Sequence, residues 1–156
     1  MTVIENKLKE LNIVLPEAPK PVGSYETTIQ VGLLVFTSGI LPVNSEGEVK
    51  FTQQIDSSTV EDGQRALLCA LKNALSILKQ KFQTLDNIER IVRLAGYINS
   101  QPGFCQQSDV INPASKLLIA LWGDKGKHVR TTIGVSELPL GASVEIELIV
   151  QVKNIS

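Results

Sequence analysis

Residues 58 to 82, STVEDGQRALLCALKNALSILKQKF, carry the clearest structural pattern in the chain. Their apolar side chains recur every three to four residues, which is the period of a helix that buries one side. Ser58 and Glu61 have the spacing of a capping box, so the helix is predicted over residues 59 to 82. The buried stripe consists of Val60, Leu67, Leu71, Leu75, Leu78 and Phe82, widened by Ala66, Ala70 and Ala74.

Segments of strand character precede and follow this helix. Residues 25–31 and 33–41 are rich in β-branched and aromatic side chains and are separated by Gly32, which predicts a hairpin. Residues 42–58 contain Pro, Asn, Gly and Ser and are expected to be mostly loop. Residues 88–98 alternate and predict a strand, with Val92 among the side chains assigned to its apolar face.

The C-terminal part of the chain predicts one more helix and two more strands. Asn112 followed by Pro113 has the pattern of an N-cap and a first helical proline, so a second helix is predicted from there to Trp122. Residues 129–135 and 144–152 alternate between apolar and other side chains, as half-buried strands do.

The resulting order, β-β-α-β-α-β-β, predicts an α+β two-layer sandwich. Residues 1–156 are expected to form one domain, in which residues 1–20 are a short helix and an extended, proline-rich lead-in. A chain of this size can bury roughly 70% of the surface that it exposes when unfolded, so it needs neither a disulfide nor a metal to hold a core.

Composition excludes several classes of function. The 15 basic and 16 acidic residues give a formal net charge of -1, which disfavours a nucleic-acid-binding module. With one histidine and two cysteines, no metal centre is expected. No stretch approaches the ~20 apolar residues of a membrane span, and no targeting segment is recognised, so a cytoplasmic protein without membrane contact is predicted.

Arg130 is the residue most suited to bind a ligand. The alternation assigns Val129, Thr131, Ile133 and Val135 to the core and places Arg130, with His128, on the opposite face. If the last two strands pair, this guanidinium lies near the acidic face formed by Glu145 and Glu147. Two interpretations stay open: a solvated salt bridge, or a two-point grip on a small carboxylate.

Two other chemistries receive little support. Cys69 lies among leucine and alanine in the predicted helix, and no sequence rule places His128 beside Cys105, so a nucleophilic thiol is not expected. The turn Gly123–Lys127 reads GDKGK and lacks the spacing of a phosphate-binding P-loop.

Four ordered motifs resemble the RidA/YjgF family of imine deaminases, whose members are also known as L-PSP endoribonucleases or translation inhibitors. The most specific one is RTTIGVSELP, residues 130–139, followed by VEIE at 144–147. PVGSY at 21–25, LVFTSG at 34–39 and Asn112 agree with the family in the same order. The resemblance covers roughly residues 15 to 153.

The resemblance implies a chorismate-mutase-like fold, with the helices on one face of a mixed sheet, and a homotrimer with ligand clefts between its subunits. It implies hydrolysis of small 2-imino acids or their enamines to 2-oxo acids and ammonia, without a cofactor or metal. Glu145 and Tyr25 would be catalytic. The substrate would be bound by Arg130, Gly39, Ser38, Asn112 and Thr132, and Thr132 stands where many members have cysteine.

Some features depart from the family and leave other functions open. Gly23-Ser24-Tyr25 replaces Gly-Pro-Tyr, residues 43–58 and 99–112 form longer loops, and His128, a possible additional site residue, is not a general family feature. The alternatives to a deaminase are a non-catalytic protein that binds a small carboxylate or metabolite in the same cleft, and an endoribonuclease-type translation inhibitor.

Overall fold

A computed structural model of the protein describes residues 2–21 and 23–154. Met1 of the predicted N-terminal helix and Val22 of the PVGSY motif lie outside the described residues. The three helices are α1 (Val3–Glu10), α2 (Val60–Phe82) and α3 (Gln107–Trp122). The five strands are β1 (Thr28–Val31), β2 (Leu34–Thr37), β3 (Ile88–Asn99), β4 (Val129–Val135) and β5 (Val144–Val152). The predicted element order is confirmed, although the two hairpin strands are shorter than expected.

The strands form one mixed sheet in the order β1-β2-β5-β3-β4. Only β3 and β4 run parallel, with Leu94 opposite Arg130, whereas the other neighbours are antiparallel. The pairing of β4 with β5, on which the expected Arg–Glu contact depended, does not occur. β3 lies between them and bonds to both.

The core lies between one face of this sheet and the helices α2 and α3. The apolar face predicted for β5 is confirmed, because alternate residues of that strand are buried against the helical layer. In β3 the register shifts between Ile88 and Arg90 and again between Ile91 and Arg93. These irregularities put Ile91 in the core, fully buried, where strict alternation predicted Val92.

The opposite face of the sheet carries exposed apolar side chains on its outer strands, and no helix of the described chain covers it. Ile29, Val31, Val129 and Ile133 are 56%, 64%, 66% and 45% exposed. Val129, Thr131 and Ile133 were predicted to face the core and instead lie on this open face. Alternation identifies two faces but does not say which one the helices cover, and here both carry apolar residues.

The N-terminus of α2 is not the predicted capping box. The N–H and hydroxyl of Ser58 both donate to Asp56 Oδ1, at 2.8 and 2.7 Å, and Thr59 is the N-cap without a side-chain cap bond. The Ser58 hydroxyl therefore donates to a nearby aspartate, whereas a capping box needs its oxygen as the acceptor for an N–H of the first turn.

The helix α3 begins at Gln107, so Asn112 is not its N-cap and Pro113 lies inside it. A proline has no N–H for the carbonyl four residues earlier, here that of Asp109. Gln64 Nε2 on α2 donates to this carbonyl at 2.9 Å. This contact between helices compensates for the missing bond, and part of the predicted loop 99–112 is consequently helical.

None of the helices in residues 2–21 and 23–154 is long and apolar enough to cross a membrane.

Candidate active site

Arg130 on β4 is held by two side chains of α3. Its Nη1 donates to Asn112 Oδ1 at 2.8 Å and to Ser115 Oγ at 3.2 Å. Asn112 and Ser115 are three residues apart and therefore lie on one face of the helix. Among the described residues, Nε and Nη2 have no acceptor, so the edge of the guanidinium that can make two parallel hydrogen bonds is available to a ligand.

Thr132 follows Arg130 on the same, helix-facing side of β4. Its Oγ1 is buried and has no hydrogen-bond partner within the part of the chain that the structure describes. Buried hydroxyls are normally paired, and one left unpaired costs about 1–3 kcal/mol. The structure thus places an unused polar atom close to the arginine in the chain.

His128 belongs to the same cluster. Its Nδ1 lies 2.6 Å from the carbonyl oxygen of Gly126, and its Nε2 lies 2.9 Å from Ser115 Oγ. Ser115 therefore contacts both the imidazole and the guanidinium. We call Arg130, Asn112, Ser115, Thr132 and His128 the arginine cluster.

A second cluster surrounds Glu145 at the start of β5. Tyr25, Ser38, Gly39 and Glu145 line a cavity of about 490 Å³. The chain after β2 is fixed to β5 by a reciprocal backbone pair, in which the N–H groups of residues 40 and 146 donate to each other's carbonyls at 2.7 and 3.0 Å. We call these four residues the glutamate cluster.

Gly39 and Glu145 are in close contact. A Cβ built on Gly39 would lie 2.9 Å from Glu145 Cδ and would overlap the carboxylate oxygen. Glycine is therefore required for the carboxylate to lie against the backbone here.

The Glu145 carboxyl has a raised pKa. Burial is the larger cause, and the negative charge of Glu147 on the same strand face is the second. Glu147 itself accepts a hydrogen bond from the Tyr97 hydroxyl at 2.5 Å and lies 3.7 Å from Arg93 Nη1. A carboxylate with a raised pKa is a better proton acceptor near neutral pH than an ordinary one.

The two clusters lie on opposite faces of the sheet. Arg130 points toward α3, whereas Glu145 lies on the open face, level with Tyr97 of β3. The strand β3 also separates β4 from β5. The expected proximity of Arg130 to Glu145 within one chain is therefore wrong, and one molecule presents the predicted site residues as two separate clusters.

Two residues at these sites were missed in the sequence. Ser115 would have been found by counting three residues on from Asn112, had α3 been predicted to start earlier. Leu140 lines the cavity of the glutamate cluster and has φ 57, a left-handed conformation that is uncommon for leucine. No local sequence signal marks this conformation.

The surroundings of the two cysteines do not favour a nucleophilic thiol. Burial raises the pKa of the Cys69 thiol, which opposes formation of the thiolate. Cys105 is exposed, and the contacts of His128 are with Ser115 and Gly126 instead. Within the described ranges, no group of three histidine, cysteine or acidic side chains could hold a metal ion.

A five-stranded mixed sheet with its helices on one face defines the chorismate-mutase-like class of α+β proteins. Comparisons with known proteins give the family. The family model described as Endoribonuclease L-PSP matches residues 15–152. The chain belongs to this family, which is also known as RidA/YjgF.

Three relatives illustrate the range of similarity. Protein TCP17 of Trypanosoma cruzi is 36% identical over 94% of this chain and 92% of its own. A 2-iminobutanoate/2-iminopropanoate deaminase of Dermatophagoides farinae is 26% identical over 90% of this chain and 95% of its own. A crystal structure from Shewanella oneidensis MR-1 has a TM-score of 0.90 at 29% identity, covering 97% of this chain and 100% of that one.

Proposed function

We propose that this protein hydrolyses small 2-imino acids to 2-oxo acids and ammonia, in clefts formed between the subunits of a homotrimer. The observation that carries the proposal is the hydrogen bonding of the Arg130 guanidinium. One of its nitrogens is held by Asn112 and Ser115, while the Nε–Nη2 edge remains available. That edge matches the two oxygens of a carboxylate, the one group that all 2-imino acids share.

The open sheet face supports self-association. It carries apolar side chains from both edges of the sheet, including Ile29 of β1 and Ile133 of β4, each about half exposed. Several large apolar side chains exposed on one face of a folded chain favour a contact with another protein. A ring of three copies would cover this face and would bring the arginine cluster of one subunit beside the glutamate cluster of the next.

Within such a cleft, the side chains divide the chemistry between them. Arg130 binds the substrate carboxylate, assisted by the backbone N–H of Gly39, and Tyr25 closes the pocket. Glu145 accepts a proton from water as the water oxygen attacks the imine carbon. The protonated Glu145 returns that proton to the nitrogen of the resulting carbinolamine. The Glu145 carboxylate then accepts the hydroxyl proton as the C–N bond breaks, which forms the carbonyl and releases ammonia, and this last proton passes to solvent. An iminium carbon is already electrophilic, so orientation of the water supplies much of the acceleration.

The relatives support the same activity. The family includes the Dermatophagoides farinae protein that is named as a 2-iminobutanoate/2-iminopropanoate deaminase. The alternatives from the sequence, a non-catalytic binding protein and an endoribonuclease, have no stronger support from the comparisons.

Ammonia release tests the proposal directly. An L-amino-acid oxidase generates imines in situ from several amino acids, and ammonia is measured with and without the protein, with Glu145→Gln as the matched control. We expect the wild-type protein to accelerate release above the spontaneous rate and the variant to lose most of that acceleration. Binding of a 2-oxo acid without acceleration would instead indicate a non-catalytic protein.

Light scattering tests the assembly. We expect the mass of three chains, each of 17.0 kDa. A mass near 17.0 kDa in dilute buffer would contradict the trimer and with it the inter-subunit cleft.

A further inference from the structure

We infer that Ser115 and His128 form a relay that positions Arg130 for its carboxylate ligand. The inference rests on the proposed role of Arg130 in ligand binding and adds two residues to that site. Neither residue contacts the Nε–Nη2 edge of the guanidinium in the structure, so both act through the orientation of the arginine.

The relay begins at a turn that is packed tightly on α3. A Cβ on Gly126 would lie 2.8 Å from the Cα of Ile119, so only glycine allows the turn to approach the helix this closely. The carbonyl of Gly126 is consequently fixed relative to α3. Because a carbonyl only accepts hydrogen bonds, the 2.6 Å contact from His128 Nδ1 requires a proton on that nitrogen.

The tautomer of His128 determines the direction of the next hydrogen bond. With the proton of a neutral imidazole on Nδ1, Nε2 carries a lone pair. The hydroxyl of Ser115, 2.9 Å away, must then donate to Nε2. Its own oxygen lone pairs are left for Arg130 Nη1, at 3.2 Å.

Two acceptors then share the two hydrogens of Nη1. Asn112 Oδ1 takes one at 2.8 Å, and Ser115 Oγ takes the other. Because both acceptors lie on one face of α3, the guanidinium plane is fixed and its remaining edge has a defined direction. Without His128, the Ser115 hydroxyl could rotate its hydrogen toward Arg130, and a donor would then face a donor.

Substitutions at Ser115 and His128 test the relay. The variants are Ser115→Ala, His128→Ala, the double variant and His128→Gln, whose amide oxygen can replace Nε2 as acceptor. Ser100→Ala is the matched control, since it removes a hydroxyl that bonds the Ile98 carbonyl at 2.8 Å, outside the arginine cluster. Calorimetry measures the Kd for 2-oxobutanoate, and the ammonia assay measures kcat and KM.

We expect each alanine variant to raise Kd and KM by about five- to tenfold while kcat changes by less than about twofold, as loss of orientation at one charged hydrogen bond predicts. The double variant should equal Ser115→Ala, because His128 acts through Ser115. His128→Gln should recover most of the affinity, and Ser100→Ala should match the wild type. Circular dichroism confirms that each variant is folded.

Other results would contradict the relay but would not test whether the protein is a deaminase. If both alanine variants bind 2-oxobutanoate like the wild type while Arg130→Ala does not, Arg130 needs no relay. Additive losses in the double variant would show that His128 acts independently of Ser115. If the wild type binds 2-oxobutanoate through Arg130, with these variant effects, but releases no ammonia, the deaminase proposal fails and the relay stands.

Discussion

Replacing Arg130 by alanine distinguishes between the two interpretations of this residue, an anchor for the substrate and a solvated ion pair at the surface. In the structure this guanidinium is partly buried, and its Nη1 is bonded to Asn112 and Ser115 rather than to a carboxylate. Arg130→Ala removes these bonds as well as the two N–H groups that would hold a ligand.

The expected loss follows from those two N–H groups. Each hydrogen bond to a charged group contributes roughly 1.5 kcal/mol or more, so the pair contributes about 3 kcal/mol. Since about 1.4 kcal/mol corresponds to a tenfold change, kcat/KM should fall roughly a hundredfold or more. Arg130→Lys should recover less than about tenfold, because an ammonium group cannot form the same planar fork.

The assay compares kcat/KM for imine hydrolysis in the wild type and in both variants. Arg65→Ala is the control, because Arg65 forms an exposed ion pair with Asp62 on α2. Such pairs contribute about 0–1 kcal/mol to stability, so this variant should leave both folding and kcat/KM nearly unchanged. A folded, trimeric Arg130→Ala protein with wild-type activity would refute the proposed anchor.

Three further predictions concern the glutamate cluster and the cysteines. Because burial and Glu147 raise the pKa of Glu145, kcat/KM should rise with pH along an acid limb above the ordinary carboxyl range. Glu147→Gln should move this limb to lower pH in a pH–rate profile, and an unmoved limb would assign it to another group. Gly39→Ala should displace the Glu145 carboxylate and lower kcat/KM at least about tenfold, with little change in thermal unfolding because the end of a glutamate side chain can move; wild-type kinetics would contradict this contact. Cys69→Ala and Cys105→Ser should keep turnover within about threefold, and a loss of a hundredfold or more in folded Cys105→Ser would show that a thiol takes part.

The fold could be predicted largely from the sequence because its strongest patterns are local. The apolar stripe of α2 and the alternation of β5 each require a buried side, whatever their neighbours are. The errors arose where another residue offers a competing or compensating hydrogen bond. Gln64, far from Asp109 in sequence, satisfies the carbonyl that Pro113 leaves without a partner inside α3, and Asp56, two residues before Ser58, accepts the Ser58 hydroxyl hydrogen.

The arrangement of the candidate site residues could not be predicted from the sequence. Family resemblance pointed to Arg130 and Glu145, and the structure puts each in a setting suited to its proposed role. The alternation could not tell that β4 turns Arg130 toward the helices, because its other face is apolar and open. Only the strand order shows that the two residues are separated within one chain.

If two subunits complete each site, as proposed, mixed trimers of two inactive variants should regain activity. Arg130→Ala retains an intact glutamate cluster, and Glu145→Gln retains an intact arginine cluster. Each variant alone should be nearly inactive as a homotrimer. The two are unfolded, mixed in equal amounts and refolded together, with each variant and the wild type refolded alone as controls.

In random mixed trimers, each half of a cleft is intact with a chance of about one half, so about one quarter of the clefts combine two intact halves. The mixture should therefore release ammonia at about a quarter of the rate of refolded wild type. Activity no greater than that of the separately refolded variants would contradict a site shared between subunits.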